Sequence, residues 1–93
     1  MFVGYGWVTL HLPEVTTLKE KRRIIKSALS DLHLKFKVSA SEVDFQDKWQ
    51  RAQIGFASVG SSLREIEVFR QHVFDYFDDL DRVEVTDTSF QIV

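Results

Sequence analysis

The sequence predicts an α+β fold in which four strands and two helices follow one another in the order β-α-β-β-α-β. Four segments alternate apolar and polar residues with the period of a strand. Two further segments open with Ser or Thr followed three residues later by Glu, a capping box, and continue with apolar residues at helical spacing. Ninety-three residues fit one domain, so residues 1–93 are assigned to a single unit.

The first strand is predicted over residues 2–12 and ends at Pro13. One face of this strand is small or aliphatic, with glycines at its start. The other face carries Tyr5, Trp7, Thr9 and His11. Strands two to four are predicted over residues 38–43, 51–59 and 83–93. The apolar phase of the last strand changes along its length, which predicts a β-bulge near Asp87.

The two helices are predicted to follow Thr17 and Ser62, whose capping partners are Glu20 and Glu65. Two βαβ halves of this kind interlock into a ferredoxin-like sandwich, an antiparallel four-stranded sheet with both helices on one face. The predicted core consists of Val8, Leu10, Ile25, Leu29, Leu32, Ile54, Phe56, Ile66, Val73 and Phe77.

Composition excludes several classes of protein. The chain is 44% hydrophobic and 28% charged, which is typical of a soluble globular domain. It has no cysteine, which excludes disulfides, Cys-ligated zinc and thiol catalysis. No apolar run reaches membrane-spanning length and no signal peptide is recognisable, so a cytoplasmic protein without membrane contact is expected. The net charge of −2 argues against a generally basic nucleic-acid binder.

The start of the first helix carries charges that oppose its dipole. The positive end of the helix dipole favours acidic residues, yet this segment is rich in cations. The cations are Lys19, Lys21, Arg22, Arg23 and Lys26. Such a cluster beside unpaired backbone N–H groups indicates an anion or RNA site. At about 100° per residue the five positions spread around much of the helix, which weighs against one tight stripe.

The predicted topology brings other unusual residues to the same end of the sandwich. The second helix ends there with Asp75, Asp78, Asp79 and Asp81, which also oppose their helix dipole. The loop between strands two and three is there too, with Trp49 and Arg51 expected to flank an RNA contact. Trp49 is also expected to anchor the loop to the core. Pairing of the basic and acidic runs is the alternative to anion binding, and the sequence leaves both open.

Two stretches carry a family resemblance. They are Thr-Leu-Lys-Glu-Lys-Arg-Arg at residues 17–23, after His-Leu-Pro, and Glu-Val-Asp-Phe-Gln-Asp-Lys-Trp-Gln-Arg-Ala at residues 42–52. The chain resembles the YlxP-like family of small bacterial proteins over essentially its whole length. The resemblance implies a ferredoxin-like fold and a genomic setting among transcription and ribosome-maturation factors, and it supplies no catalytic residues. Tyr5 and Trp7 depart from the family pattern.

The leading hypothesis is therefore a non-catalytic binding protein for RNA or a ribosomal particle. The alternative is a protein-interaction module or a homodimer without nucleic-acid contact. Tyr5, Trp7, Thr9 and His11 are the candidate dimer surface, because aromatic side chains there would otherwise face water. An enzyme ranks third, since no nucleophile, metal cluster or cofactor loop is recognisable, and no metal or cofactor is expected.

Overall fold

A computed structural model describes all of residues 1–93, and its elements follow the predicted order. Those elements are β1 (Phe2–His11), α1 (Leu18–Lys35), β2 (Ser39–Asp44), β3 (Arg51–Gly60), α2 (Leu63–Asp79) and β4 (Glu84–Ile92). The strands form one sheet in the order β2-β3-β1-β4, and every neighbouring pair is antiparallel. Both helices pack against the same face, which confirms the ferredoxin-like sandwich.

Both predicted helix starts are confirmed by their caps. The Thr17 hydroxyl accepts a hydrogen bond from the Glu20 amide at 3.1 Å, and the Ser62 hydroxyl accepts one from the Glu65 amide at 3.2 Å. Each cap satisfies one of the amides that the first helical turn leaves without an intrahelical partner. The helix boundaries are therefore fixed by local sequence chemistry.

The predicted bulge in β4 is also confirmed. Thr9 pairs with Asp87 and the next residue of β1, Leu10, pairs with Val85, so Thr86 is the extra residue. The Thr86 hydroxyl donates to the Thr9 carbonyl at 3.2 Å. The extra residue allows Val85 on one side of the bulge and Phe90 on the other to face the helices.

The core lies between the helices and the sheet. Every residue of the predicted core is buried except Leu29, which is half-buried because it lies at the edge of the helix–sheet contact. Aromatic packing adds a cluster around Phe56, whose ring centroid lies 5.9 Å from those of Phe69 and Phe74. Edge-to-face contacts of this kind contribute beyond the area they bury.

Two glycines of β1 allow close packing. A Cβ on Gly6 would lie 2.0 Å from the carbonyl oxygen of Ser89, a backbone atom of the neighbouring strand. A Cβ on Gly4 would lie 2.6 Å from an Ile66 side-chain carbon of α2. Gly4 therefore sets how closely α2 approaches the sheet, while Gly6 sets how closely β1 approaches β4.

We expect Gly6→Ala to destabilise the fold by about 1–3 kcal/mol, the usual cost of overpacking, because backbone must move to admit the methyl group. Urea denaturation followed by circular dichroism measures this. Gly55→Ala is the control: its added methyl group meets the exposed Val43 side chain, which can rotate away. Equal losses of stability in the two variants would contradict the packing described for Gly6.

Candidate anion-binding surface

Lys21, one of the five clustered cations, is not on the surface. Its side chain is 0% exposed, and its ammonium lies 2.7 Å from Glu42 Oε2 on β2. The same ammonium donates to the Phe45 carbonyl at 2.6 Å. No other group of the protein is a partner for Glu42 Oε2. The prediction that Lys21 contacts an anion is therefore wrong, because a buried ammonium with two protein acceptors cannot reach a ligand.

The burial of Lys21 follows from its position in the pattern. Lys21 lies four residues before Ile25 and seven before Ala28, on the stripe of α1 that faces the sheet. Glu42 likewise lies two residues after Ala40, on the face of β2 that points to the helices. Opposite charges at two inward-facing positions are the sequence signal of a buried ion pair, which charge counting alone overlooks.

The buried ammonium also fixes the loop between β2 and β3. The Phe45 carbonyl accepts from both Lys21 and the Lys48 amide, and Phe45 itself has a φ of 63° in the left-handed region. Bulky residues rarely adopt that conformation, so these contacts must offset its strain. The Gln50 side chain ties the end of the loop to the Val15 carbonyl at 3.1 Å, just before α1.

The four remaining cations form one surface. Lys19, Arg22, Arg23 and Lys26 are all exposed, and none of them has an ion-pair partner. At 100° per residue they lie within an arc of about 100° on the side of α1 away from Lys21. The apparent spread predicted from the sequence came from including Lys21. We call these four residues the basic arc.

The one acidic residue of the first turn does not neutralise the basic arc through an ion pair. Glu20 is paired with Arg82, which follows α2, and this hydrogen bond is the main cause of the lowered pKa of the Glu20 carboxyl. Arg23 contributes a smaller electrostatic effect in the same direction. The Glu20–Arg82 pair joins the start of α1 to the start of β4 and leaves the basic arc directed at solvent.

The acidic run at the end of α2 occupies a different surface. Asp75, Asp79 and Asp81 line a groove of about 400 Å³ between the helices. Asp31 lines the same groove and accepts a hydrogen bond from the Tyr76 hydroxyl at 2.6 Å. Burial and then Asp31 raise the pKa of the Tyr76 phenol. Asp75, Asp78, Asp79 and Asp81 form no ion pair with the basic arc, so the suggested pairing of the two runs is not present.

The two residues expected to flank the contact, Trp49 and Arg51, line one shallow concavity next to the loop between β2 and β3. Arg51 alternates with the buried Ala52 and Ile54, so it lies on the helix-free face of the sheet, where its guanidinium stacks 3.9 Å from the Phe45 ring centroid. Trp49 lies in the loop with a side chain that is 52% exposed. The expectation that Trp49 anchors the loop to the core is wrong, because Lys21 and Gln50 hold the loop instead.

The helix-free sheet face carries the predicted aromatic patch. Tyr5 and Trp7 are 41% and 38% exposed, and His11 lies 3.4 Å from Glu84 at the end of the same face. Thr9 is only 4% exposed because the Gln53 amide donates to its hydroxyl at 3.1 Å and covers it. Thr9 is therefore removed from the candidate contact surface, and the other three residues remain on it.

No group of three or more His, Asp or Glu side chains is arranged to hold a metal ion. Neither helix is long and apolar enough to cross a membrane. The candidate contact surfaces are the basic arc, the loop between β2 and β3, and the helix-free sheet face.

Comparison with known proteins places the chain in a family. Residues 3–90 match the family model described as Protein of unknown function (DUF503). The chain is also 36% identical over 86 residues to the uncharacterized protein YlxP of Bacillus subtilis (strain 168), an alignment that covers 92% of this chain and 94% of YlxP. The chain therefore belongs to the DUF503 family, and the predicted YlxP-like resemblance is confirmed.

We expect Lys21→Met to lower the free energy of unfolding by about 3 kcal/mol, since it leaves the Glu42 carboxylate in a largely buried site without its counter-ion. The Glu42 side chain retains 16% exposure, which keeps the expected loss at the lower end of the usual range. Lys21→Met/Glu42→Leu should recover most of that loss, because no charge is then buried. Urea denaturation of the three proteins measures the coupling, and additive losses would contradict a direct ion pair.

Proposed function

We propose that this protein is a non-catalytic RNA-binding protein, acting on free RNA or on RNA exposed in a ribosomal particle. The basic arc contacts the phosphate backbone. Since its targets are cytoplasmic in bacteria, the proposal includes a cytoplasmic location. The observation that carries it is the arc itself: four exposed cations on one helical face, none with an acidic partner.

The dipole of α1 favours an anion beside the basic arc. Lys19 lies in the first turn of α1, where a cation opposes the dipole and is unfavourable by about 0.3–1 kcal/mol when exposed at low salt, whereas Arg22, Arg23 and Lys26 lie beyond that turn. An anion reverses the sign of that interaction, because it is attracted both by the side chains and by the dipole. Phosphate groups spaced along a nucleic-acid strand supply several such anions at once and release bound counterions.

The loop beside α1 supports RNA as the anion. Trp49, Lys48 and Arg51 line a shallow concavity of about 580 Å³. The contact between Lys21 and the Phe45 carbonyl holds this loop against the first turns of α1. The exposed Trp49 indole has Lys48 in the same concavity, and an exposed aromatic side chain next to a cation is an arrangement with which proteins stack unpaired bases, which favours a single-stranded segment over a duplex.

The test is fluorescence anisotropy with labelled single-stranded RNA of about 16 nucleotides, within the site sizes of such proteins, and binding to purified ribosomal subunits, each at several salt concentrations. Four phosphate contacts predict a log–log salt slope of about −3 for a single strand. Arg22→Glu/Arg23→Glu should weaken binding and reduce the slope to about half, because two contacts are removed.

Lys37→Glu/Arg64→Glu is the matched control, with the same change of charge at exposed positions near the opposite end of the sandwich. Native-like binding by this control with loss in the arc variant supports the proposal. Equal binding by the two variants would overturn the proposed site. Absence of binding to RNA and to ribosomal subunits at low salt would overturn RNA as the ligand and favour an acidic protein partner.

A further inference from the structure

The helix-free face of the sheet has the composition of an interface. A solvated face of an antiparallel sheet normally carries polar residues. Here the centre of the face has no charge and is formed by Tyr5 and Trp7 on β1, with Gly55 and Ala57 beside them on β3. Aromatic enrichment and a lack of charge distinguish the centre of protein interfaces from ordinary surface.

We propose that this face binds a second copy of the same chain, forming a two-fold symmetric dimer in which the sheets pack face to face. The basic arc remains accessible in such a dimer, because both helices lie on the opposite side of the sheet. Three features of the face favour a second copy as its occupant: its relief, its charges and its area.

The relief of the face fits its own copy. The side chains of Tyr5 and Trp7 form a ridge along β1. Beside it, a groove of about 320 Å³ runs over β3, with Gly55 and Ala57 at its floor and Val43 on its far wall. A two-fold axis parallel to the strands and midway between β1 and β3 places each ridge over the other copy's groove. The two sheets then overlap over all four strands, because that axis passes through the middle of the sheet.

The charges at one end of the face are complementary under the same axis. Arg51 and Glu84 lie on either side of His11 at one level of the sheet. The axis parallel to the strands brings this charged row against the charged row of the second copy, so Arg51 of each copy approaches the other's His11 and Glu84. An axis across the strands would instead bury this row against the apolar end at Val3 and Val59, which desolvates charge without giving it a partner across the interface.

The available area is sufficient for a dimer. Four strands at about 4.8 Å spacing and about 30 Å in length give a face of about 570 Å² for each copy. Two such faces bury about 1,100 Å², which exceeds the roughly 1,000 Å² expected of a specific interface. Packed sheets align within about 30°, which keeps most of this overlap.

Sedimentation equilibrium at about 10–100 μM tests the dimer, and paired charge reversals test its geometry. We expect the native chain to sediment at twice its 10.9 kDa mass. Arg51→Glu and Glu84→Arg should each weaken self-association at least tenfold, because each places two like-charged pairs across the interface. An equimolar mixture of the two variants should dimerise again, since both cross-interface pairs are then of opposite charge.

A folding check, a control variant and a further variant of the face make every outcome informative. Both altered residues are exposed, and circular dichroism checks that each variant is folded. Lys37→Glu, a charge reversal away from the sheet face, should leave self-association unchanged. Trp7→Ala should weaken it without any change of charge. A monomeric native chain would overturn the dimer. A dimer that is insensitive to all three face variants would overturn the interface, and a mixture that stays monomeric would overturn the proposed two-fold axis.

Discussion

The ammonium of Lys21 makes the contacts on which the geometry of the candidate site depends. It connects three elements that are distant in sequence: the start of α1, the inward face of β2 through Glu42, and the following loop through the Phe45 carbonyl. A buried ion pair adds little net stability relative to apolar packing, but it is strongly directional. Its effect here is positional, because it holds the loop that carries Trp49 beside the first turns of α1.

The same interaction explains why the start of α1 is so basic. One of the five cations has a structural partner inside the fold, and Glu20, the acid that would oppose the others, is held by Arg82. The remaining four cations are thereby confined to one solvent-facing arc. The structure thus has a charged helical side and a sheet side whose centre is uncharged, and two separate contacts with other molecules are compatible with that division.

Local rules were sufficient to predict most of the fold. The capping boxes at Thr17 and Ser62 gave the helix starts, strand alternation gave the sheet face of Trp7, and the change of phase in β4 gave the bulge. These features depend on residues close in sequence or on a simple period. The site was less predictable, because the burial of Lys21 depends on Glu42, which lies on another element.

Two other expectations about the candidate site also differ from the structure. Trp49 was expected to be buried because tryptophan usually is to a large extent. Other residues hold its loop, so its side chain remains exposed. Arg51 was assigned to the anion site because the topology brings its loop to the right end of the sandwich. Strand alternation places its side chain on the helix-free face of the sheet, away from the basic arc, where it contacts Phe45 and lines the loop concavity with Trp49.

Reductive methylation of the folded protein with ¹³C-formaldehyde, followed by NMR of the modified lysines, tests the central claim most directly. Lys19 and Lys26 of the basic arc should react at the rate of free lysine side chains. Lys21 should react slower by roughly two orders of magnitude or more, because its amine is reached only after local unfolding. Modification of Lys21 at the rate of Lys19 in a protein that remains folded would contradict the buried ion pair and the division of charges derived from it.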